Sequence, residues 1–521
     1  MSARAAALWA LLAVLWFGTL GIRPLYKADE SRYGEISREM VASGDWVTPR
    51  LNGFKYFEKP PLQYWATAVF FKMFGAHDWV ARLWSALLGF AGIALVLYAG
   101  NRLFGPPIGA YAAAVLAGSP LYALLGQVNT LDMSVSVFLA AAIFAFALGH
   151  VMVFWAACAL AVLSKGLIGI VLPGAALFVY LLAKRDWSLI RRVRPLAGGA
   201  LFLVITAPWF IAVSAANPEF AHFFFVQEHF QRFTSEIHHR AAPAWYFIPI
   251  LAAGMAPWLV PLGHAAARAL RGPTGQRTDA ELLLWIWALV VFVFFSASGS
   301  KLPPYILPIF PALAVLAARS LTRGVLIAQS LVMLPLAIGA GLAVHRLAAT
   351  GPYASYAEWI LIAALVLAAC AAAALFMAWR HRLAPAVLAL ALGGLVASQI
   401  GIAGHRTLSD RFSVASTVAA LPELPPAGAP VFAVDMYDHT LPWSLKRTVT
   451  MVGYRDELGD AVDWEHEKFV PDLMTFAERW RAAPQAWAFL PVGEAEKLPR
   501  ELGIRVQVMA RGPQYAIVRK P

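Results

Sequence analysis

Residues 27–65, KADESRYGEISREMVASGDWVTPRLNGFKYFEKPPLQYW, form the one long polar segment in the front half of an otherwise apolar chain. The hydrophobic run Ala5 to Ile22 precedes it and a second begins near residue 79, so the segment is wedged between two apolar spans. Across 521 residues, hydrophobic types make up 60% and charged types 14%, against roughly 45–50% and 25% in soluble domains. Mean hydropathy is +0.63. Apolar runs of about 18 to 22 residues recur along most of the length, long enough to cross hydrocarbon as helices. The composition excludes a soluble protein and predicts a polytopic α-helical membrane protein. In that setting a segment this rich in Asp, Glu, Arg and Lys is either a site or a solvated loop.

The first run, 5–23, ends without a small-residue cleavage pattern and reads as an uncleaved signal anchor. Further runs lie near 79–101, 107–126, 133–148, 151–164, 166–183, 196–214, 244–263, 282–298, 303–320, 324–344, 357–379 and 383–403. That makes about thirteen predicted spans. The net charge of +12 sits in short loops between runs rather than on one soluble face, so it reports orientation and not a nucleic-acid partner. With the N-terminus inside, loops carrying Arg102, Lys184, Arg185, Arg191, Arg192, Arg268, Arg319, Arg323 and Arg380 fall on the cytoplasmic side. Segment 25–65, the tip Asn129 to Asp132, the Lys165 turn, the 215–243 loop and Ser298 to Pro304 then share the external side. Cys158 and Cys370 lie inside apolar runs, and no disulfide framework is indicated.

From about residue 405 the composition becomes globular. PVFAVDM and QAWAFL read as short buried strands, FAERWRAA as a helix, and IRVQVMA with YAIVRK as a terminal strand pair. The expected organisation is a transmembrane catalytic region, 1–404, with 25–78 as its first external loop, followed by a small external α/β domain, 405–521. No internal repeat is visible, which counts against an inverted-repeat transporter.

Within the first loop, Tyr33, Ile36 and Met40 recur at helical spacing before Ser43-Gly44. This predicts a short amphipathic helix on the membrane surface, with Arg32, Glu35 and Glu39 toward water. Pro60 and Pro61 exclude helix through Tyr56-Phe57-Glu58-Lys59 and favour extended backbone there, with a second helix from Leu62 to Phe74. Interfacial anchoring explains such a loop as well as chemistry does. Asp132, following Asn129-Thr130-Leu131, reads as a first-turn acid that favours the next helix through its dipole, a role compatible with catalysis. The 215–243 loop holds His222, His229, His238 and His239 with Glu228 and Glu236, types that bind zinc-like cations but here without a defined ligand spacing. Lys165 and Lys301 are lone cations at external span ends, suited to lipid phosphate or to a phosphate-bearing substrate.

The chain resembles the bacterial lipid A aminoarabinose transferases and, more distantly, the protein O-mannosyltransferases, both of the membrane-embedded GT-C glycosyltransferase fold. The resemblance rests on Asp29-Glu30-Ser31-Arg32-Tyr33, Gly44-Asp45-Trp46, Pro49 to Gly53 and Tyr56 to Pro60. It extends to Thr130 to Met133, Ser164-Lys165-Gly166, Glu228-His229-Phe230, His238-His239 and Lys301 to Tyr305. It implies transfer of a sugar, expected to be 4-amino-4-deoxy-L-arabinose, from undecaprenyl phosphate to lipid A at the periplasmic face of the inner membrane. By the same resemblance Asp29 and Asp132 are the catalytic acids, and Glu58 with His239 and its neighbour His238 forms a divalent, zinc-like metal site. Lys59 contacts the donor phosphate, while Arg32, Tyr33, Tyr56 and Tyr305 line the cavity. No nucleotide cofactor is implied. Transfer of another polyprenyl-linked sugar to a different lipid, glycan or protein hydroxyl is an alternative, and transport of a lipid-linked sugar is another.

Overall fold

The computed structural model describes residues 3–231, 242–271 and 278–521. It divides into two compact units: a helical unit of Met1–Leu20, Glu58–Gln63 and Arg82–Gly404, and a second unit of Gly21–Phe57, Tyr64–Ala81 and His405–Pro521.

The helical unit bears out the expectation of a polytopic membrane protein. Among the described residues, six helices are long and apolar enough to cross a bilayer, or up to seven if the bent pair Phe247–Gly254 and Ala256–Arg271 is one span. Shorter apolar helices coincide with the remaining predicted runs, including Ala5–Phe17, Leu131–Ala147, Val151–Lys165 and Ile168–Lys184. With lipid offering no hydrophobic driving force between helices, close packing holds them together. Trp16 shows how: it is fully buried, its indole N–H donates to the Ala86 carbonyl at 2.9 Å, and the chain passes it at two glycines. A Cβ at Gly89 would meet the indole at 2.6 Å and one at Gly126 at 2.4 Å. At another set of helix ends Glu281 is buried and pairs with both Arg319 and Arg268, so its charge is answered where no water can do it.

The second unit contains a five-stranded mixed sheet. The strands of this unit are β1 (Arg50–Leu51), β2 (Phe54–Lys55), β3 (Val431–Val434), β4 (Thr450–Val452), β5 (Trp487–Pro491), β6 (Gln507–Arg511) and β7 (Tyr515–Arg519). The sheet order is β4-β3-β5-β7-β6. Strand β3 runs parallel to both β4 and β5, and β7 is antiparallel to β5 and β6. The helix Leu473–Ala482, started by Asp472 accepting from the Thr475 N–H at 2.7 Å, buries Phe476 and Trp480 against Phe432.

The first-loop helix runs from Asp29 to Ser43 and stops at Gly44, whose φ of 75° is the left-handed conformation glycine adopts at no steric cost. Its environment corrects one expectation. Arg32, Glu35 and Glu39 are buried rather than turned to water. Protein packs on the opposite side of the helix too: Gly34 passes Leu25 and Trp443 so closely that a Cβ would meet Leu25 at 2.8 Å. Glu35 is satisfied by Arg38 at 2.6 Å. Glu39 accepts the N–H groups of Asn52 at 2.5 Å and Gly53 at 2.8 Å, which caps the β1–β2 turn, where both residues have positive φ. The Asn52 amide in turn bonds the backbone of Val449 in both directions, at 2.9 and 2.7 Å.

Burial, and then the neighbouring Glu35 carboxylate, push Glu39 well above the usual carboxylate range. The folded chain therefore holds this proton more tightly than the unfolded chain. The corresponding stability is fully present below the unfolded pKa and is lost as pH rises through the folded value. Glu39→Gln should flatten the fall in melting temperature as pH is raised from acid toward neutrality, measured in detergent. Gly126→Val should lower stability by about 1–3 kcal/mol through overpacking against Trp16, read by thermal unfolding of the purified protein.

Candidate functional site

The polar residues singled out in the sequence fall in both units, in the helical unit as two separate ion-paired groups. In the helical unit, Pro60 and Pro61 hold the chain extended, and Lys59 projects from it. Its ammonium donates to the Glu58 carbonyl at 2.9 Å, pairs with Glu228 and lies 3.7 Å from the Glu58 carboxylate. Glu228 stands on the π-helical turn His222–Gln231. Gln63 ties the same segment to the start of the helix Leu131–Ala147, donating to Asn129 at 3.0 Å and accepting from Ser134 at 2.9 Å.

Asp132 lies in the first turn of that helix, and Lys165 is the last residue of the antiparallel neighbour Val151–Lys165. A helix N-terminus favours an anion and a C-terminus a cation, so the two ends suit the Asp132–Lys165 pair that joins them. Lys165 also stands 4.8 Å over the ring of Tyr305, which itself packs on Phe295. Lys301 is buried and donates to the Ser298 carbonyl at 2.5 Å. The structure thus brings together Glu58 with Lys59, and Asp132 with Lys165 and Tyr305. Among the described residues, no group of three or more His, Cys, Asp and Glu side chains could hold a metal ion. His238 and His239 lie outside the described residues. In the described part of that set, the Lys59 ammonium answers the charge of Glu58 and Glu228.

In the second unit, Asp29 opens the first-loop helix with its carboxylate about half exposed, and Arg32 donates to it at 3.0 Å from one turn on. Burial works against the Arg32 charge, and Tyr56, Glu457, Asp29 and Tyr33 more than offset it, so the guanidinium is held well above its ordinary pKa. Tyr33 and Tyr56 are buried. Tyr33 lies beneath the guanidinium, 5.8 Å from ring centre to charge, and packs on Tyr64 at 5.8 Å.

Two partners have no local signal in the sequence. Glu228 lies among histidines along the chain, although its partner here is Lys59, 169 residues away. Glu457 sits in a globular region that matched no local motif.

Residues 417–520 match the family described as aminoarabinose transferase C-terminal domain. Residues 58–211 match that described as dolichyl-phosphate-mannose-protein mannosyltransferase. The chain is 35% identical over 331 residues to the undecaprenyl phosphate-α-4-amino-4-deoxy-L-arabinose arabinosyl transferase of Edwardsiella ictaluri, covering 60% of this chain and 59% of the relative. It is also 35% identical over 328 residues to the Aeromonas hydrophila protein of the same name, with the same coverage. The sequence match therefore spans about 59% of the length of these curated relatives. The crystal structure of ArnT from Cupriavidus metallidurans bound to undecaprenyl phosphate superposes with a TM-score of 0.93 at 36% identity, covering 100% of this chain and 99% of that one. Its apo form gives 0.92 at 35%.

Removing one member of a buried ion pair strands the other, at a cost of about 3–5 kcal/mol. Lys165→Ala should therefore destabilise the protein more than the double variant Lys165→Ala/Asp132→Asn, measured as melting temperature in detergent.

Proposed function

The chain belongs to the aminoarabinose transferase family, and from that premise we propose that it moves 4-amino-4-deoxy-L-arabinose from undecaprenyl phosphate to lipid A. The observation that carries this reading is the likeness over the whole chain to a solved family member that binds undecaprenyl phosphate. We place the reaction at the periplasmic face of the bacterial inner membrane, because Lys and Arg in short loops favour the cytoplasmic side and the polar clusters fall on the other side of the predicted topology.

Breaking a sugar–phosphate bond builds positive charge on the sugar and negative charge on the departing phosphate, so cations fixed at that phosphate lower the barrier most. Lys59, Lys165 and Lys301 take this role in the proposed reaction. Lys59 and Lys165 are already largely desolvated and balanced by carboxylates. An incoming phosphate exchanges one anionic partner for another rather than stripping water from a free ammonium. A lipid A phosphate is ionised near neutral pH and attacks without a base. Asp29 then orients the sugar through its amino group and stabilises the charge developing at the anomeric carbon, with Arg32, Tyr33 and Tyr56 around it, while in the helical unit Asp132 and Tyr305 hold Lys165.

The mannosyltransferase match over 58–211 favours a second reading, transfer to a hydroxyl acceptor, in which Asp29 is the general base. Glu58 with His238 and His239 would hold a divalent cation in either reading, adding positive charge on the phosphate side.

Mass spectrometry of lipid A should show a pentosamine adduct that disappears when the protein is deleted and returns with the wild-type chain. An adduct on another glycan or protein would favour the second reading. Asp29→Asn should insert normally yet lower transfer by about 100-fold or more; wild-type turnover by that variant removes Asp29 from the mechanism. Glu58→Gln should lower both activity and bound divalent metal, and an unchanged metal content takes Glu58 out of a metal site.

A further inference from the structure

Asp29 is a half-exposed carboxylate flanked in sequence by two cations, Lys27 and Arg32, and each of these is gripped by the C-terminal part of the same unit. Strands β3 and β4 are parallel neighbours, so the segments that follow them emerge at one edge of the sheet, the edge at which open parallel sheets present polar groups. After β3 come Asp438 and His439, and after β4 comes Glu457.

Lys27 is 3.2 Å from the Asp438 carboxylate and 2.8 Å from the Gln514 side-chain oxygen, with the Tyr515 ring 5.6 Å away. Its backbone N–H donates to Phe412 at 2.9 Å. Asp438 is rigid, since its other oxygen accepts from the N–H and the hydroxyl of Thr440 at 2.9 and 2.6 Å. On the far side, Arg32 donates to Glu457 at 2.5 Å, and the opposite oxygen of that carboxylate is 3.4 Å from Nε2 of the buried His439. His439 stands edge-on to Tyr437 at 4.9 Å.

The planar geometry of the guanidinium makes this arrangement consequential. Its two terminal nitrogens form a fixed fork. One is spent on Glu457 and the other on Asp29, so setting the first sets the direction from which the second meets the Asp29 carboxylate. We propose that Glu457, braced by His439, is a positioning residue for Asp29, acting through Arg32, and that the sheet edge of the C-terminal domain exists in part to hold residues 27–32 in register. The inference rests on the reading of Asp29 as a reaction-centre carboxylate.

Simple adhesion between loop and sheet would use the same ion pairs, and Arg50–Glu465 supplies the control. It joins the same loop to the same domain at 2.9 Å but has no link to Asp29. With full-length purified protein, undecaprenyl phosphate-aminoarabinose and lipid A, Glu457→Gln should lower kcat by about 10-fold or more, the scale of a misplaced reacting group, with KM for the donor changed less than about 2-fold. Glu465→Gln should leave kcat unchanged. Glu457→Gln/Arg32→Lys should be no slower than Arg32→Lys alone, because both act through one guanidinium. Hydrogen exchange over residues 27–33 should quicken in Glu457→Gln while the strands of the sheet stay protected. Wild-type kcat in Glu457→Gln, an equal loss in Glu465→Gln, multiplicative losses in the double variant, or unchanged exchange at 27–33 would each overturn the proposal. If the wild-type chain transfers no aminoarabinose, the functional reading falls, and the exchange measurement still decides whether Glu457 sets this turn.

Discussion

A charged side chain removed from water costs several kcal/mol even after the protein relaxes around it, and only a close partner of opposite charge with good geometry returns that cost. In a chain with 14% charged residues, this constraint governs where charge can be kept. The helical unit meets it at helix ends. Asp132 and Lys165 take opposite termini of an antiparallel pair, and Glu281 takes two arginines at another set of ends. Lys59 has no regular helix beneath it and is held instead on a proline-stiffened segment between Glu58 and Glu228. The same requirement that makes these pairs stable leaves cations preformed and largely desolvated, the state in which the proposed electrostatic contribution to a leaving phosphate is largest.

Lysine and arginine divide the work according to their shapes. A lysine is a compact point charge on a flexible stem and can move from a carboxylate to a phosphate by rotating a few bonds. An arginine presents a rigid fork and is better suited to fixing direction than to exchanging partners. The lysines of the helical unit each lie against one principal acceptor. Arg32 is divided between two carboxylates and boxed by Tyr33, and Arg38 grips Glu35 with two nitrogens at 2.7 and 2.6 Å. In the first-loop helix the arginines therefore serve as geometry.

Much of this was legible in the residues, for identifiable reasons. Every predicted apolar run holds helix because hydrocarbon leaves a backbone few other ways to satisfy its hydrogen bonds, and Leu62–Phe74 begins where Pro60-Pro61 allow it to. The terminal pair β6–β7 showed in its alternating pattern. Strand β4, only Thr450 to Val452, was too short to show any period. The Asn52-Gly53 turn was present as a signal, since Asn-Gly favours the paired positive φ values of a tight hairpin, but its flanking strands are two residues each. The placement of Arg32, Glu35 and Glu39 toward water failed because periodicity reports which face is apolar, and cannot report a polar face covered by protein from 400 residues downstream. Long-range partners such as Glu457 for Arg32 and Val449 for Asn52 have no local signature at all.

That last point bears on why the second unit is assembled from segments so far apart. Glu465 accepts from Arg50, from the Lys55 N–H and from Lys468, which keeps its carboxyl below the usual range despite burial. The Trp443 indole donates to Asp78 at 2.7 Å, and the Tyr26 hydroxyl donates to the His405 carbonyl at 2.7 Å. Apart from the Lys468 bond, which lies within the C-terminal domain, each of these joins the first loop to that domain. A loop of this composition has too little apolar surface to offset its own conformational entropy. It acquires a unique structure by borrowing the sheet's core and returning polar partners to it, so the domain at the end of the chain is part of the folding unit that presents Asp29.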